Sequence, residues 1–166
     1  MTDHHVARAE CRVIAGDEDA CLTAVLGSCV AACLWDAVAR IGGMNHFLLP
    51  RSHGGGTLTP LGVGSTAMPA LVNGCLQAGA SRERLQARLF GGGRVVPLFT
   101  DIGARNLAFA RAFLLAEGLP LVGEGVGGTQ ARRVCFWPAT GWVSQRLVES
   151  RPLADARGSP ARDAGK

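Results

Sequence analysis

The fold is decided by two apolar runs, residues 28–35 (SCVAACLW) and 41–49 (IGGMNHFLL), which a short polar connection joins. Runs of this length with Val, Ile, Trp and Phe are typical of β-strands, and a short connection between two of them predicts an antiparallel hairpin. If the chain reverses at Ala37-Val38, Cys29 lies opposite His46. Opposed residues in such a pair share one face and have Cβ atoms about 4.5–5.5 Å apart.

Cys29 and His46 are therefore the candidate catalytic pair. A free thiol has a pKa of about 8.5, and an imidazole that accepts its proton converts it into a nucleophile. A bend at Gly27-Ser28 would expose backbone N–H groups near Cys29, where they could stabilise an oxyanion. The inference depends on register, because one residue of slip would place the pair on opposite faces. The alternative is that both are core residues.

A nucleophile and its base usually need a third group that orients the imidazole. Neither strand has an acidic residue near Cys29 or His46. Thr23, on the preceding predicted strand, could orient His46 with its hydroxyl, or could simply satisfy its own surroundings. Asp36, at the far end of the hairpin, is interpreted as a turn residue.

Composition limits the classes of function. The 166 residues suggest one domain, and 48% of them are hydrophobic, as in globular proteins. The net charge is +4, but no dense basic run with interleaved aromatic residues indicates nucleic-acid binding. Six cysteines include no CxxC pair and only four histidines are present, so neither a metal site nor a cofactor is predicted.

The sequence also predicts a cellular location. No apolar run reaches the ~18 residues that span a membrane, and the first residues are polar, unlike a signal peptide. We therefore expect a cytoplasmic protein with free thiols.

Beyond the hairpin, apolar residues at helical spacing predict helices over residues 65–76 and about 104–117. Asp101 and Gly118 are suited to begin and end the second helix. Further strands are predicted over residues 11–14, 22–26, 85–90, 119–123, 133–137 and 142–148. This order predicts an α+β layered sandwich in which two helices cover one side of a mixed sheet.

The remaining segments are predicted to be irregular. Residues 1–10 are expected to be a loose start, residues 51–64 a flexible surface loop, and residues 150–166 a disordered tail after a single domain of residues 1–149. The glycine runs 91–93 and 125–128 lack the residues of a nucleotide-binding loop. We interpret both runs as structural turns or rims of a substrate cleft.

The motif in residues 23–36 (TAVLGSCVAACLWD) and 41–50 (IGGMNHFLLP) resembles the CheD family of chemoreceptor glutamine deamidases. The resemblance extends over about residues 11–148. Shorter matching segments are residues 67–68, 89–92, 102–106, 127–128, 132–134 and 138–141. Departures from the family pattern fall at Gly125 and Gln130.

The resemblance implies an α/β/β sandwich with mixed β-sheets, similar to the deamidase domain of cytotoxic necrotizing factor toxins. It implies a Cys-His-Thr triad in which Cys29 is the nucleophile, His46 the base and Thr23 the orienting group. The implied reaction converts glutamine side chains of methyl-accepting chemotaxis receptors to glutamate. This hydrolysis would tune chemotaxis adaptation.

The implied partners are the cytoplasmic helices of those receptors, together with a CheC-type phosphatase. Contact with a membrane is expected only through the receptor. Two alternatives stay open. One is a non-catalytic adaptor that binds receptors or the phosphatase, and the other is a thiol hydrolase that acts on a different amide or ester.

Overall fold

The structure, a computed structural model, describes residues 1–49, 64–95 and 101–149. The predicted tail lies outside the described residues, as does the predicted loop apart from Gly64, which begins the first helix. The α-helices within these ranges are α1 (Gly64–Gln77) and α2 (Ile102–Glu117), and a short 3-10 helix covers Arg82–Arg84. The strands are β1 (Thr2–His5), β2 (Cys11–Ala15), β3 (Ala20–Leu26), β4 (Val30–Asp36), β5 (Ile41–Asn45), β6 (Gln86–Gly91), β7 (Leu121–Val126), β8 (Ala131–Trp137) and β9 (Trp142–Val148).

The strands form two mixed sheets. One has the order β1-β3-β8-β9 and the other the order β2-β5-β4-β6-β7. Parallel pairing occurs at β1–β3 and β6–β7, whereas the other pairs are antiparallel. Both helices contact the five-stranded sheet. The predicted α/β/β layered sandwich with mixed sheets is therefore confirmed.

Two apolar layers hold the sandwich together, and β4 contributes to both. The helix-side core, between the helices and the five-stranded sheet, includes Val30 and Leu34 of β4. The inter-sheet core includes Ala31, Cys33 and Trp35 of the same strand. Successive strand side chains point to opposite faces, which is why β4 reads as a continuous apolar run. Full burial of each large apolar side chain stabilises the fold by about 1.5–3 kcal/mol.

Asp36 closes the hairpin between β4 and β5, as predicted for a turn residue. Its buried carboxylate accepts hydrogen bonds from the backbone N–H groups of Val38, Ala39 and Ser81 at 2.8–3.1 Å. Arg84 donates to both carboxylate oxygens. Burial alone would raise the pKa of Asp36, but these hydrogen bonds outweigh it and hold the pKa well below its usual range.

The predicted ends of α2 are confirmed. The Asp101 side chain accepts a hydrogen bond from Ala104 N at 3.0 Å, which satisfies a helix-terminal donor. Gly118 ends the helix in the left-handed conformation, with φ of 70°.

Two predictions about strands are wrong. Residues 119–123 were expected to form a strand, but β7 begins at Leu121 and ends at Val126, so it includes Gly125 of the 125–128 run. The first ten residues are not a loose start, because β1 pairs in parallel with β3 and His5 lies opposite Thr23. β1 is an edge strand made of polar residues, so it has no apolar alternation that a sequence pattern could reveal.

Candidate active site

The β4–β5 pair places Cys29 and His46 on one face, but not opposite each other. Val30 lies opposite Phe47, and the two exchange backbone hydrogen bonds of 3.0 and 2.9 Å. Asp36 lies opposite Ile41, so the turn contains residues 37–40. The predicted register is therefore wrong, because it assumed a tighter turn at Ala37-Val38.

The observed register differs from the predicted one by two residues, and because this number is even, Cys29 and His46 stay on the same face. In the observed register His46 is a diagonal neighbour of Cys29, and such neighbours lie about 7–8 Å apart with long side chains in reach. Cys29 packs against the inter-sheet core. Met44, two residues before His46, belongs to the same core, and Val6 of that core contacts the His46 ring. Both side chains therefore face the four-stranded sheet at the open end of the hairpin.

His46 is held by residues 6–10, which we call the N-terminal strap. Its Nδ1 lies 3.0 Å from the carbonyl oxygen of Val6. Its backbone is fixed on both sides, because Ala9 N donates to His46 O at 2.8 Å and His46 N donates to Glu10 O at 3.1 Å. A carbonyl oxygen can only accept, so Nδ1 carries the proton and Nε2 keeps a free lone pair. The strap therefore selects the tautomer that a general base requires.

The strap is itself a closed turn. Glu10 Oε1 accepts a hydrogen bond from Ala7 N at 2.9 Å, and Glu10 N donates to Ala7 O at 2.9 Å. Val6 N donates to Thr23 O at 2.8 Å, which attaches the strap to β3. Sequence reasoning missed this element, because a backbone carbonyl has no residue-type signature.

Thr23 supports His46 only through its backbone in this structure. Its neighbours Leu22 and Ala24 point into the inter-sheet core, so strand alternation turns the Thr23 side chain to the opposite face. The contact to His46 Nδ1 comes from the Val6 carbonyl. A catalytic role for the Thr23 hydroxyl stays a prediction.

Three glycines fix the segment that carries Cys29. Gly93 N donates to Gly27 O and Gly92 N donates to Cys29 O, both at 2.8 Å. Gly91 has φ of 99°, and a Cβ atom there would overlap the Cys29 carbonyl oxygen. The 91–93 run is thus a structural turn, as the sequence indicated. Among the described residues, the backbone N–H of Cys29 has no acceptor, so it remains available to an oxyanion.

Asn106 joins the two sides of the site. Its Nδ2 donates to Ser28 O at 2.8 Å, and its Oδ1 accepts from Leu49 N at 2.9 Å. The side chain is fully buried. One amide thus connects the residue before Cys29 to the chain just after His46. The sequence signal that could have found it is an asparagine on the apolar face of a helix, where it requires polar partners.

Burial sets the charge of the resting pair. Burial raises the pKa of the Cys29 thiol, and nearby Arg8 opposes this. Burial lowers the pKa of His46, which is 7% exposed, and Arg8 and His5 lower it further, whereas the Val6 carbonyl and Glu10 act in the other direction. At neutral pH the pair is therefore a thiol and a neutral imidazole, suited to proton transfer during attack.

Within residues 1–49, 64–95 and 101–149, no group of three or more His, Cys, Asp or Glu side chains could hold a metal ion. Neither helix in these ranges combines the length and the apolar character needed to cross a membrane.

Comparison with known proteins identifies the family. A family model described as CheD chemotactic sensory transduction matches residues 48–147. A protein from Caulobacter sp. (strain K31) is 49% identical over 163 residues, which cover 95% of this chain and 85% of that protein. The chain belongs to the CheD family. The resemblance noted in the sequence is thus confirmed.

Other CheD relatives agree. A protein from Caulobacter vibrioides (strain NA1000 / CB15N) is 51% identical over 87% of this chain and 77% of its own length. One from Rhizobium leguminosarum bv. trifolii (strain WSM2304) is 48% identical over 90% of this chain and 88% of its own length. All three relatives carry the name probable chemoreceptor glutamine deamidase CheD.

A crystal structure of a Neisseria meningitidis protein from the DUF152 family aligns with a TM-score of 0.42 and 12% identity. The alignment covers 71% of this chain and 51% of that one, about half its length.

Proposed function

We propose that this chain is a CheD-type enzyme that hydrolyses glutamine side chains of chemoreceptors to glutamate, with Cys29 as nucleophile and His46 as base. The observation that carries the assignment of the pair is the hydrogen bond from His46 Nδ1 to the Val6 carbonyl. It leaves Nε2 unprotonated on the face of the sheet that Cys29 shares. The family and the names of the relatives supply the substrate class.

The first half of the reaction forms a thioester. Cys29 Sγ attacks the carboxamide carbon of the substrate while His46 Nε2 takes the thiol proton. Negative charge develops on the amide oxygen. The backbone N–H groups of Cys29 and of the Gly27-Ser28 bend can donate hydrogen bonds to it. The C–N bond then breaks, and His46 returns the proton to the departing ammonia.

The second half releases glutamate. His46 accepts a proton from water, whose oxygen attacks the thioester carbon. The C–S bond breaks, its electron pair returns to Cys29 Sγ, and His46 gives the proton back to sulfur. The substrate now carries a carboxylate in place of the amide. One water has been consumed and one ammonia released, so the reaction balances without a cofactor.

The partners follow from this function. The substrates are glutamines on the cytoplasmic helices of chemotaxis receptors, and the enzyme reaches them from the cytoplasm. A CheC-type phosphatase is a second proposed partner. The competing function is an adaptor that binds receptors without chemistry.

The decisive experiment incubates the protein with a receptor cytoplasmic fragment and follows amide-to-acid conversion by peptide mass spectrometry. We expect conversion by the wild type and none by Cys29→Ala or His46→Ala. Cys135→Ala is the matched control, because it removes a partly buried thiol on the other sheet. Conversion by Cys29→Ala would overturn the assignment, and binding without conversion by the wild type would favour the adaptor.

The same assay separates two roles for Thr23. We propose that Thr23 positions the strap through its carbonyl, which a Thr23→Val substitution retains. Thr23→Val should therefore keep kcat/KM within about threefold of wild type, since it removes no contact to His46. A loss of more than about tenfold would instead assign the orienting role to the hydroxyl.

A further inference from the structure

β9 forms one edge of the four-stranded sheet, whose order is β1-β3-β8-β9. On one side it pairs with β8 at every position from Trp142 to Val148, without a bulge. On the other side it pairs with no strand of the described residues. The N–H and C=O groups of alternate residues therefore point away from β8, where another strand could bind them.

The other edge strands have features that protect a sheet edge from pairing. β1 has only four residues, all of them polar. β2 is contacted by α1. β7 has a register shift against β6 and the acidic Glu124, which pairs with Arg111. Because short polar strands, covering helices, bulges and charges all limit pairing, β9 is the least protected of these edges, with seven residues and a single charge at Arg146.

The β9 edge also exposes apolar side chains. Trp142 is 73% exposed, Leu147 57% and Val148 37%. Strand alternation places Trp142 and Val148 on one face of the sheet and Leu147 on the other. Apolar side chains that remain exposed together on one element are typical of an interaction surface.

The sequence of β9 is self-complementary. Residues 142–148 read WVSQRLV, with two apolar residues at each end and three polar residues between them. An antiparallel copy centred on Gln145 would match apolar residues with apolar ones and polar residues with polar ones. The opposed pairs would be Trp142 with Val148, Val143 with Leu147, and Ser144 with Arg146.

We propose that two copies of this chain pair through β9, antiparallel about a two-fold axis at Gln145, so that their four-stranded sheets become one continuous sheet. The pairing is isologous, as in most symmetric dimers. A slip of two residues in either direction would place Arg146 opposite Trp142 or opposite itself, so the side chains specify one register. This interface does not depend on the proposed deamidase function.

The first test is sedimentation of the full-length chain over a range of concentrations. Because a pair of edge strands is a small interface, we expect a reversible dimer with a Kd of about 10–100 µM. Leu147→Lys should weaken it at least about tenfold, since lysine on an edge strand opposes pairing. The matched control is Leu115→Lys, the same change at an 83% exposed position on α2, which should keep the wild-type Kd.

The second test reports the register. At the two-fold axis Gln145 lies opposite itself, with Cα atoms about 4.5–5.5 Å apart, which a disulfide can span. Gln145→Cys should therefore form a covalent dimer when oxidised with diamide. Leu147→Cys lies on the same face but opposite Val143, so it should cross-link at least about tenfold more slowly. The wild type, which itself has six cysteines, gives the background.

The proposal fails if the full-length chain is a monomer up to about 200 µM, well above the expected Kd. That outcome would leave the β9 edge to a strand of another protein or to residues 150–166. It also fails if both lysine variants weaken the dimer equally, or if both cysteine variants cross-link equally. Thermal unfolding of each variant checks that it folds. A dimer in a chain that does not deamidate receptors would support this interface and contradict only the proposed function.

Discussion

The two ends of the β4–β5 hairpin differ in how their polar groups are satisfied. At the closed end, one carboxylate gathers the donors, because Asp36 accepts hydrogen bonds from residues two and three positions ahead and also from Ser81 and Arg84. At the open end, Cys29 and His46 are held by partners far away in the chain. Val6 is 40 residues from His46, and Asn106 is 78 residues from Ser28.

This difference shows why the chemistry lies at the open end. Beyond Val30 and Phe47 the strands no longer pair regularly, so backbone groups there can bind other partners. The strap, the glycine turn and α2 supply those partners and place the thiol, the base and free N–H donors together. The backbone donors of a closed turn already have acceptors, so they do not bind other segments.

The largest expected effect concerns the closed end. Asp36→Ala should lower the free energy of unfolding by about 3 kcal/mol, because it leaves three backbone N–H groups without their acceptor and Arg84 without its partner. Deamidase activity per folded molecule should stay near wild type. Urea unfolding measures the first quantity and the receptor assay the second.

The control for Asp36 is Glu18→Gln, which removes the exposed pair with Arg40 on the same turn. It should change stability by less than about 1 kcal/mol. A similar loss in both variants would contradict the assignment of the closed end to Asp36.

The depressed pKa of Asp36 predicts how stability depends on pH, which tests the closed end a second time. Because the folded-state pKa is depressed, the contribution of Asp36 to stability is complete above its unfolded-state pKa of about 3.9 and is lost as the pH falls below that value. Stability measured between pH 6 and pH 3 should thus fall less steeply in Asp36→Ala than in wild type. Parallel curves would rule out this linkage.

The next effect concerns the open end. Gly91→Ala should reduce kcat/KM by about 100-fold, because the added Cβ displaces the Cys29 carbonyl and small misplacements of a nucleophile are costly. Gly16→Ala is the matched control, since Gly16 also has positive φ but nothing lies near its Cβ position. Gly16→Ala should lose about 1 kcal/mol of stability from its backbone conformation alone, and Gly91→Ala should lose more because its Cβ also overlaps the Cys29 carbonyl. Equal activities would mean that the glycine turn does not position Cys29.

The smallest effect concerns the link across the open end. Asn106→Asp keeps an acceptor for Leu49 N but removes the donor to Ser28 O. We expect kcat per folded molecule to fall about tenfold. This change corresponds to the loss of one hydrogen bond that contributes about 1.4 kcal/mol. Asn73→Asp, an exposed position on α1, should leave kcat unchanged. An active Asn106→Asp would show that the two sides hold their geometry without this bridge.

The sequence predicted what local rules control. Apolar runs located the hairpin, Asp101 and Gly118 located the ends of α2, and Asp36 was interpreted correctly as a turn residue. The placement of Cys29 and His46 on one face survived a wrong register, because the turn was longer by an even number of residues and strand side chains alternate with period two.

Tertiary structure decided what surrounds the pair. The Val6 carbonyl and the Asn106 bridge depend on segments that come together only when both sheets and α2 pack. No local pattern marks a backbone carbonyl as the partner of an imidazole. By itself the sequence determined the two strands and the residues that could react, since side-chain direction in a strand follows from the chain alone. Only the fold determined which distant groups orient Cys29 and His46, because the unpaired backbone groups at an open strand end bind whichever segments pack against them.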